Sequence, residues 1–144
     1  MQRILLGLLI IISSYTKADT IDHYMNIANS IPQMEIKADP QSQAWARSAR
    51  NILILTSESI AESLVLANQT ATTQGKPLFC LPANKELNAT IVNDLIQQTY
   101  KEMITQQKNK DTMTVSEIAL QGLTKTYPCS QQATDNLRAS QESN

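Results

Sequence analysis

The chain has two cysteines, Cys80 and Cys129, and their pairing constrains the fold more than any other feature. Each sits beside a proline, in Phe79-Cys80-Leu81-Pro82 and in Thr126-Tyr127-Pro128-Cys129. Whether they pair depends on the compartment, and the first 18 residues bear on that. Arg3 supplies a positive start, Ile4 to Ile12 is an unbroken apolar run, and Thr16-Lys17-Ala18 offers small residues at a cleavage site. The run is shorter than the ~20 residues a membrane span needs, which favours a cleaved leader over an anchor. Export to an oxidising compartment then makes a Cys80–Cys129 disulfide the expectation. Such a bond closes a loop of about 50 residues, worth roughly 4 kcal/mol through the entropy of the unfolded chain.

Three segments follow from this reading. Residues 1–18 are expected to be a signal peptide and 19–129 a single helical domain. Residues 130–144 are a polar tail without an apolar stripe, expected to be disordered. Cleavage would remove Arg3 and Lys17, leaving 10 basic against 13 acidic side chains. That balance argues against nucleic acid as a partner, because phosphate binding wants a basic face. It leaves no segment for stable membrane insertion after cleavage. Only 3 glycines and an abundance of Ala, Leu, Ile, Gln, Glu and Lys favour helices over a turn-rich β-protein.

Periodicity places four helices. The first runs from about Asp19 to Ser30, with Ile21, Tyr24, Met25, Ala28 and Ile31 on one stripe, and should stop at Ile31-Pro32. The second starts at Asp39 as N-cap with Pro40 behind it and runs to about Gln69. Its core face is expected at Ala44 or Trp45, then Ser48, Ile52, Thr56, Ser59, Ile60, Ser63, Leu64 and Ala67, with Leu53, Leu55, Ala61 and Val65 widening it and a kink near Thr56-Ser57. The third is capped by Asn88, with Leu87 and Val92 as a hydrophobic staple. The fourth opens on Thr114-Val115-Ser116-Glu117, a capping box, with Met113 and Ile118 as a second staple. Its stripe is Val115, Ile118, Ala119, Gly122, Leu123 and Thr126. A glycine inside a helix costs about 1 kcal/mol against alanine, so Gly122 implies close approach by another helix.

The chemistry-bearing residues are few. His23 is the only histidine, and bonded cysteines leave it no thiol partner, so no catalytic dyad or metal cluster can be assembled. Glu58 and Glu62 are spaced as neighbours on a helix and are read as a solvated face. Asn68-Gln69-Thr70 and Asn88-Ala89-Thr90 match the N-glycosylation pattern, but Asn88 serves better as a cap, and both are discounted. No glycine-rich phosphate loop, no GxSxG and no HExxH occurs. The expectation is a protein that is not an enzyme, holds no cofactor or metal, and works by binding.

The block from Phe79-Cys80-Leu81-Pro82, through two helices, to Gly122-Leu123-Thr124-Lys125-Thr126-Tyr127-Pro128-Cys129 resembles the Rap/Tai family of immunity proteins. Gly122 and Thr126 stand where that family has small alanines, and Tyr127 where it has phenylalanine. A second cysteine pair common in the family is missing here around Ser57 to Ser63. The resemblance implies an all-α periplasmic protein, often a homodimer, whose partner is a secreted peptidoglycan amidase of the type VI system. It implies inhibition by a loop inserted into the amidase cleft. The candidate loops are Gln107 to Met113, with Lys108, Asn109, Lys110 and Asp111 as contacts, and Thr72 to Leu78, with Lys76 and Pro77. The rival reading is a small periplasmic helical chaperone or an envelope adaptor.

Overall fold

The structure, a computed structural model, describes residues 19–103 and 109–129. The expected leader, the tail and Lys108 lie outside these residues. Among the described residues the protein is all-α, with four helices and one disulfide. They are α1 (Ile21–Glu35), α2 (Pro40–Thr73), α3 (Ala89–Met103) and α4 (Val115–Thr126), with a 3-10 turn at Lys110–Thr112.

The helix starts lie where capping chemistry puts them. Asp39 accepts from the Ser42 amide at 2.8 Å at the head of α2, and Pro40 fills the first turn. Asn88 Oδ1 accepts from the Ile91 amide at 3.0 Å at the head of α3. Thr114 and Glu117 form both halves of the capping box on α4: the Glu117 amide donates to Thr114 Oγ1, and the Thr114 amide donates to Glu117 Oε2.

α2 is the spine, packed by α1 on one side and α3 on another, with α4 resting mainly on α3. The core joins Ile21, Tyr24 and Met25 of α1 to Leu53, Ile60 and Leu64 of α2, Val92 and Ile96 of α3, and Ile118 and Leu123 of α4. Gly122 is the contact point between α3 and α4. A Cβ there would fall inside contact distance of Thr99 Oγ1 and 2.8 Å from Leu95 Cγ. The close approach anticipated for this glycine is therefore made, and α3 is the helix that makes it.

Several expectations are corrected. α1 does not stop at Pro32: it carries the proline in its last turn and ends at Glu35. The proline forfeits the one bond its N–H would have made to Ala28, and the turn after it is closed by the Ile36 amide donating to the Pro32 carbonyl. The extra turn brings Met34 against the core and Glu35 to an ion pair with Arg50. α2 continues unbroken through Thr56-Ser57 and past Gln69 to Thr73. Its buried face is also rotated from the one expected. Ala46, Ala49, Leu53, Ser57, Ile60, Ala61 and Leu64 face inward, while Ile52 is 53% and Leu55 62% exposed. The small Ala46, Ala49, Ser57 and Ala61 lie among the larger Leu53, Ile60 and Leu64 on the inner face, against which α1 and α3 pack. Thr126, placed on the α4 stripe, is exposed.

One buried polar group ties three helices together. The Tyr24 hydroxyl donates to Asn93 Oδ1 at 2.7 Å and so accepts from Ser57 Oγ at 2.9 Å. Ser57 is fully buried, and this bond satisfies it. Burial pushes the Tyr24 hydroxyl above the usual tyrosine value, against the pull of Ser57.

Candidate functional site

The two candidate loops occupy opposite ends of α4. A 12-residue helix is ~18 Å long, so the structure does not bring them into one patch.

The first precedes α4. Asn109 begins the turn, and Thr112 and Met113 donate their amides back to Asn109 and Lys110. Tyr100, reaching across from α3, donates its hydroxyl to Asp111 Oδ1 at 2.7 Å. Lys110 lies with Nζ 4.1 Å from the centre of the same ring and 3.1 Å from Asp111. The Tyr100 hydroxyl, and after it Lys110, holds the Asp111 carboxyl below the usual aspartate value. The Lys110 side chain is only 15% exposed, so its charge is spent inside the turn. Asn109, Asp111 and Thr112 are the exposed members. Behind the turn, Met113 accepts from the Ile21 amide at 2.9 Å, and Thr20 pairs with Thr114 in a short antiparallel bridge. The turn is thus fixed by α3 in front and by the start of α1 behind.

The second is the strap between α2 and α3. Gly75, at φ 71°, turns the chain out of α2 in the left-handed conformation that glycine adopts without strain. Asn68, on the last turns of α2, then grips the strap. Its Oδ1 accepts from the amides of Leu78 (2.7 Å) and Phe79 (3.1 Å), and its Nδ2 donates to the Phe79 carbonyl (3.0 Å). Phe79 is buried beneath. Cys80 donates its amide to the Tyr127 carbonyl at 2.9 Å and bonds covalently to Cys129, with Cα atoms 5.0 Å apart. Lys85 lies 5.1 Å from the centre of the Tyr127 ring. Lys76 is exposed, Pro77 half-buried, and Leu78 is 39% exposed.

Asn68 was legible in the sequence only as a glycosylation pattern. Its real use is a backbone clamp, and an amide occupied in this way is not free to carry a glycan. His23 is exposed on α1, as are Glu58 and Glu62 on α2. Among the described residues no group of three or more His, Cys, Asp or Glu side chains is placed to hold a metal ion. No described helix is long and apolar enough to cross a membrane.

Comparison with protein-family models, curated proteins and solved structures returns no match. The class defined here is therefore structural: a disulfide-stapled four-helix domain with a braced turn at one end of α4 and a clamped strap at the other.

Proposed function

We propose that this protein is a periplasmic immunity protein that binds a secreted peptidoglycan amidase of the type VI system and occludes its substrate groove. The observation that carries the reading is the turn Asn109–Met113. A blocking loop must enter a cleft without collapsing, and rigidity beforehand reduces the entropy lost on binding. This turn has that character: Tyr100 and Lys110 brace Asp111, the capping box fixes its exit, and the Ile21 amide holds Met113. Asn109, Asp111 and Thr112 are the side chains it presents, and Lys76 and Pro77 belong to a second contact. The strap, α3, the turn, α4 and the disulfide also form one continuous unit over the segment that resembles the Rap/Tai family.

An inhibitor of this kind performs no turnover and must outcompete a toxin at low copy number. Nanomolar affinity, about −12 kcal/mol, is the corresponding expectation, over an interface of roughly 1,600 Å². The test is co-expression with the secreted amidase encoded beside it, the toxin directed to the periplasm and growth as the readout. Rescue with a stable complex on a sizing column is the expected result. No rescue and no complex would remove immunity to that enzyme. Rescue that persists when residues 109–112 become Gly-Ser would keep the function and reject the turn as its site.

The exposed apolar side chains of α2 favour a second reading, a helical chaperone. Suppression of aggregation of unrelated unfolded proteins, with no amidase binding, would select it.

A further inference from the structure

A groove of about 330 Å³ lies between the second half of α2 and the start of α3. Its floor is apolar, made by Ala61, Val65, Leu87 and Ala89, and Glu58 and Glu62 stand on its α2 side. The apolar surface continues past them. At ~100° per residue, Leu55 and Leu66 lie beyond Glu62 from Val65, and they are 62% and 64% exposed. Glu62 therefore stands between two strips of apolar surface. Among the described residues nothing covers either strip.

The charges around the groove say what fits. The ion pairs among the described residues use Glu35, Asp111 and Glu102, and none involves Glu58, Glu62 or the neighbouring Glu86. The basic residues nearest to these three in sequence are engaged elsewhere: Arg50 pairs with Glu35, and Lys85 lies over the Tyr127 ring. Asn88, on the α3 side, is occupied by the Ile91 amide. The groove thus offers an apolar floor under uncompensated negative charge. An anionic lipid surface or a nucleic acid would be repelled. We infer that the groove is a docking site for a basic amphipathic segment of another protein, with a lysine or arginine held by Glu58 and Glu62 and its large apolar side chains on Val65, Leu87 and Leu66.

A long basic side chain suits this site because its methylene stem lies on the apolar floor while its head reaches the carboxylates. Glu58 and Glu62 are one helical turn apart, close enough to share one cationic head. At an exposed rim the charges set approach and orientation, and the apolar area sets how long the segment stays. The site is separate from the turn Asn109–Met113. The α2 residues that border the start of α4, Thr56, Ser59 and Ser63, lie roughly 140° around the helix from Glu58, Ala61, Glu62 and Val65. Filling the groove therefore leaves the turn open to its own partner.

The probe is a four-turn amphipathic peptide of leucine and lysine, with a leucine–glutamate peptide of the same pattern as its counterpart. Amide NMR shifts of the purified protein are followed as each is added. With the lysine peptide, shifts are expected to concentrate at residues 58–66 and 86–90, and the glutamate peptide should cause none there. Glu58→Lys with Glu62→Lys should weaken binding at least tenfold with the melting temperature retained, because both side chains are exposed. Leu66→Ser should weaken it several-fold with every charge in place. Shifts confined to other faces, or binding unchanged in the double lysine variant, would overturn the site. Binding of the glutamate peptide at the same amides would overturn the charge argument. The same amides moving with protein concentration, without any peptide, would make a second copy the occupant and overturn the choice of partner.

Discussion

Replacing Gly122 by alanine adds one methyl group at the tightest point of the molecule. Two effects oppose each other. Alanine is the better helix former by about 1 kcal/mol. The new Cβ, however, would overlap Thr99 Oγ1 and lie 2.8 Å from Leu95 Cγ, and both belong to the buried face of α3. Neither is the free end of a flexible chain, so α4 must move away from α3 or the two side chains must leave their rotamers. Overpacking of this kind costs about 1–3 kcal/mol. The penalty wins or at best balances, and Gly122→Ala should destabilise by about 1 kcal/mol. In a domain of this size that is a fall in melting temperature of about 4–8 °C. Gly122→Leu should be far worse. Urea unfolding of Gly122→Ala, Thr99→Ala and the double variant separates the causes. Thr99→Ala removes the nearest obstructing atom, so the double variant should be more stable than the sum of the singles predicts, by about 1 kcal/mol. If Gly122→Ala raised stability by the full propensity gain, the packing argument would be wrong.

Three further outcomes are expected. Asn68→Ala should cost about 1–3 kcal/mol, because the Phe79 backbone loses its partners, and hydrogen exchange at Leu78 and Phe79 should accelerate before that of the rest of the chain; unchanged exchange there would show that the disulfide alone holds the strap. Tyr24→Phe should cost about 1–3 kcal/mol by leaving the Ser57 hydroxyl buried without its bond, and Tyr24→Phe with Ser57→Ala should recover part of that in thermal unfolding. The Asp111 carboxyl has a folded value below its ordinary 3.8, so its bonds to Tyr100 and Lys110 contribute fully above that value and are lost as the pH falls through the lower folded one; NMR of the Tyr100 ring should follow this titration, and no change down to that pH would refute the bracing.

The helix starts were legible because capping is local. Asp39, Asn88 and Thr114 each announce a start within four residues. Gly122 was legible for a similar reason, since a glycine in a helix needs a cause. The orientation of α2 was not. The inner face mixes Leu53, Ile60 and Leu64 with three alanines and Ser57, while Ile52, Leu55 and Leu66 lie outside. Of the expected face only Leu53, Ile60, Ala61 and Leu64 are buried; Ser48, Ser59 and Ser63 are exposed, and the buried Ala46, Ala49 and Ser57 carry too little apolar weight to be recognised from sequence. The Tyr24–Ser57–Asn93 bond group has no local signature, as its members are 33 and 69 residues from Tyr24 along the chain. Asn68 was visible only as a misleading pattern, since its partners are 10 and 11 residues away and belong to an irregular strap. Of the candidate contacts, the sequence indicated exposed Asn109, Asp111 and Lys76. The inward Lys110 depends on Tyr100, whose ring direction is set by the packing of α3.

The bridge between Thr20 and Thr114 joins residues almost at opposite ends of the described chain. α4, with 12 residues, is too short to persist alone in water. Its start is held by the segment that opens α1, and the residues after its end by the Cys80–Cys129 bond, which spans 49 residues. Neither tie can form until the last helix has been made. The packing of α1 and α3 on α2 needs neither tie, so that part of the core can settle before α4 is added. The docking of α4 is then the late step, limited by the search of distant ends for each other.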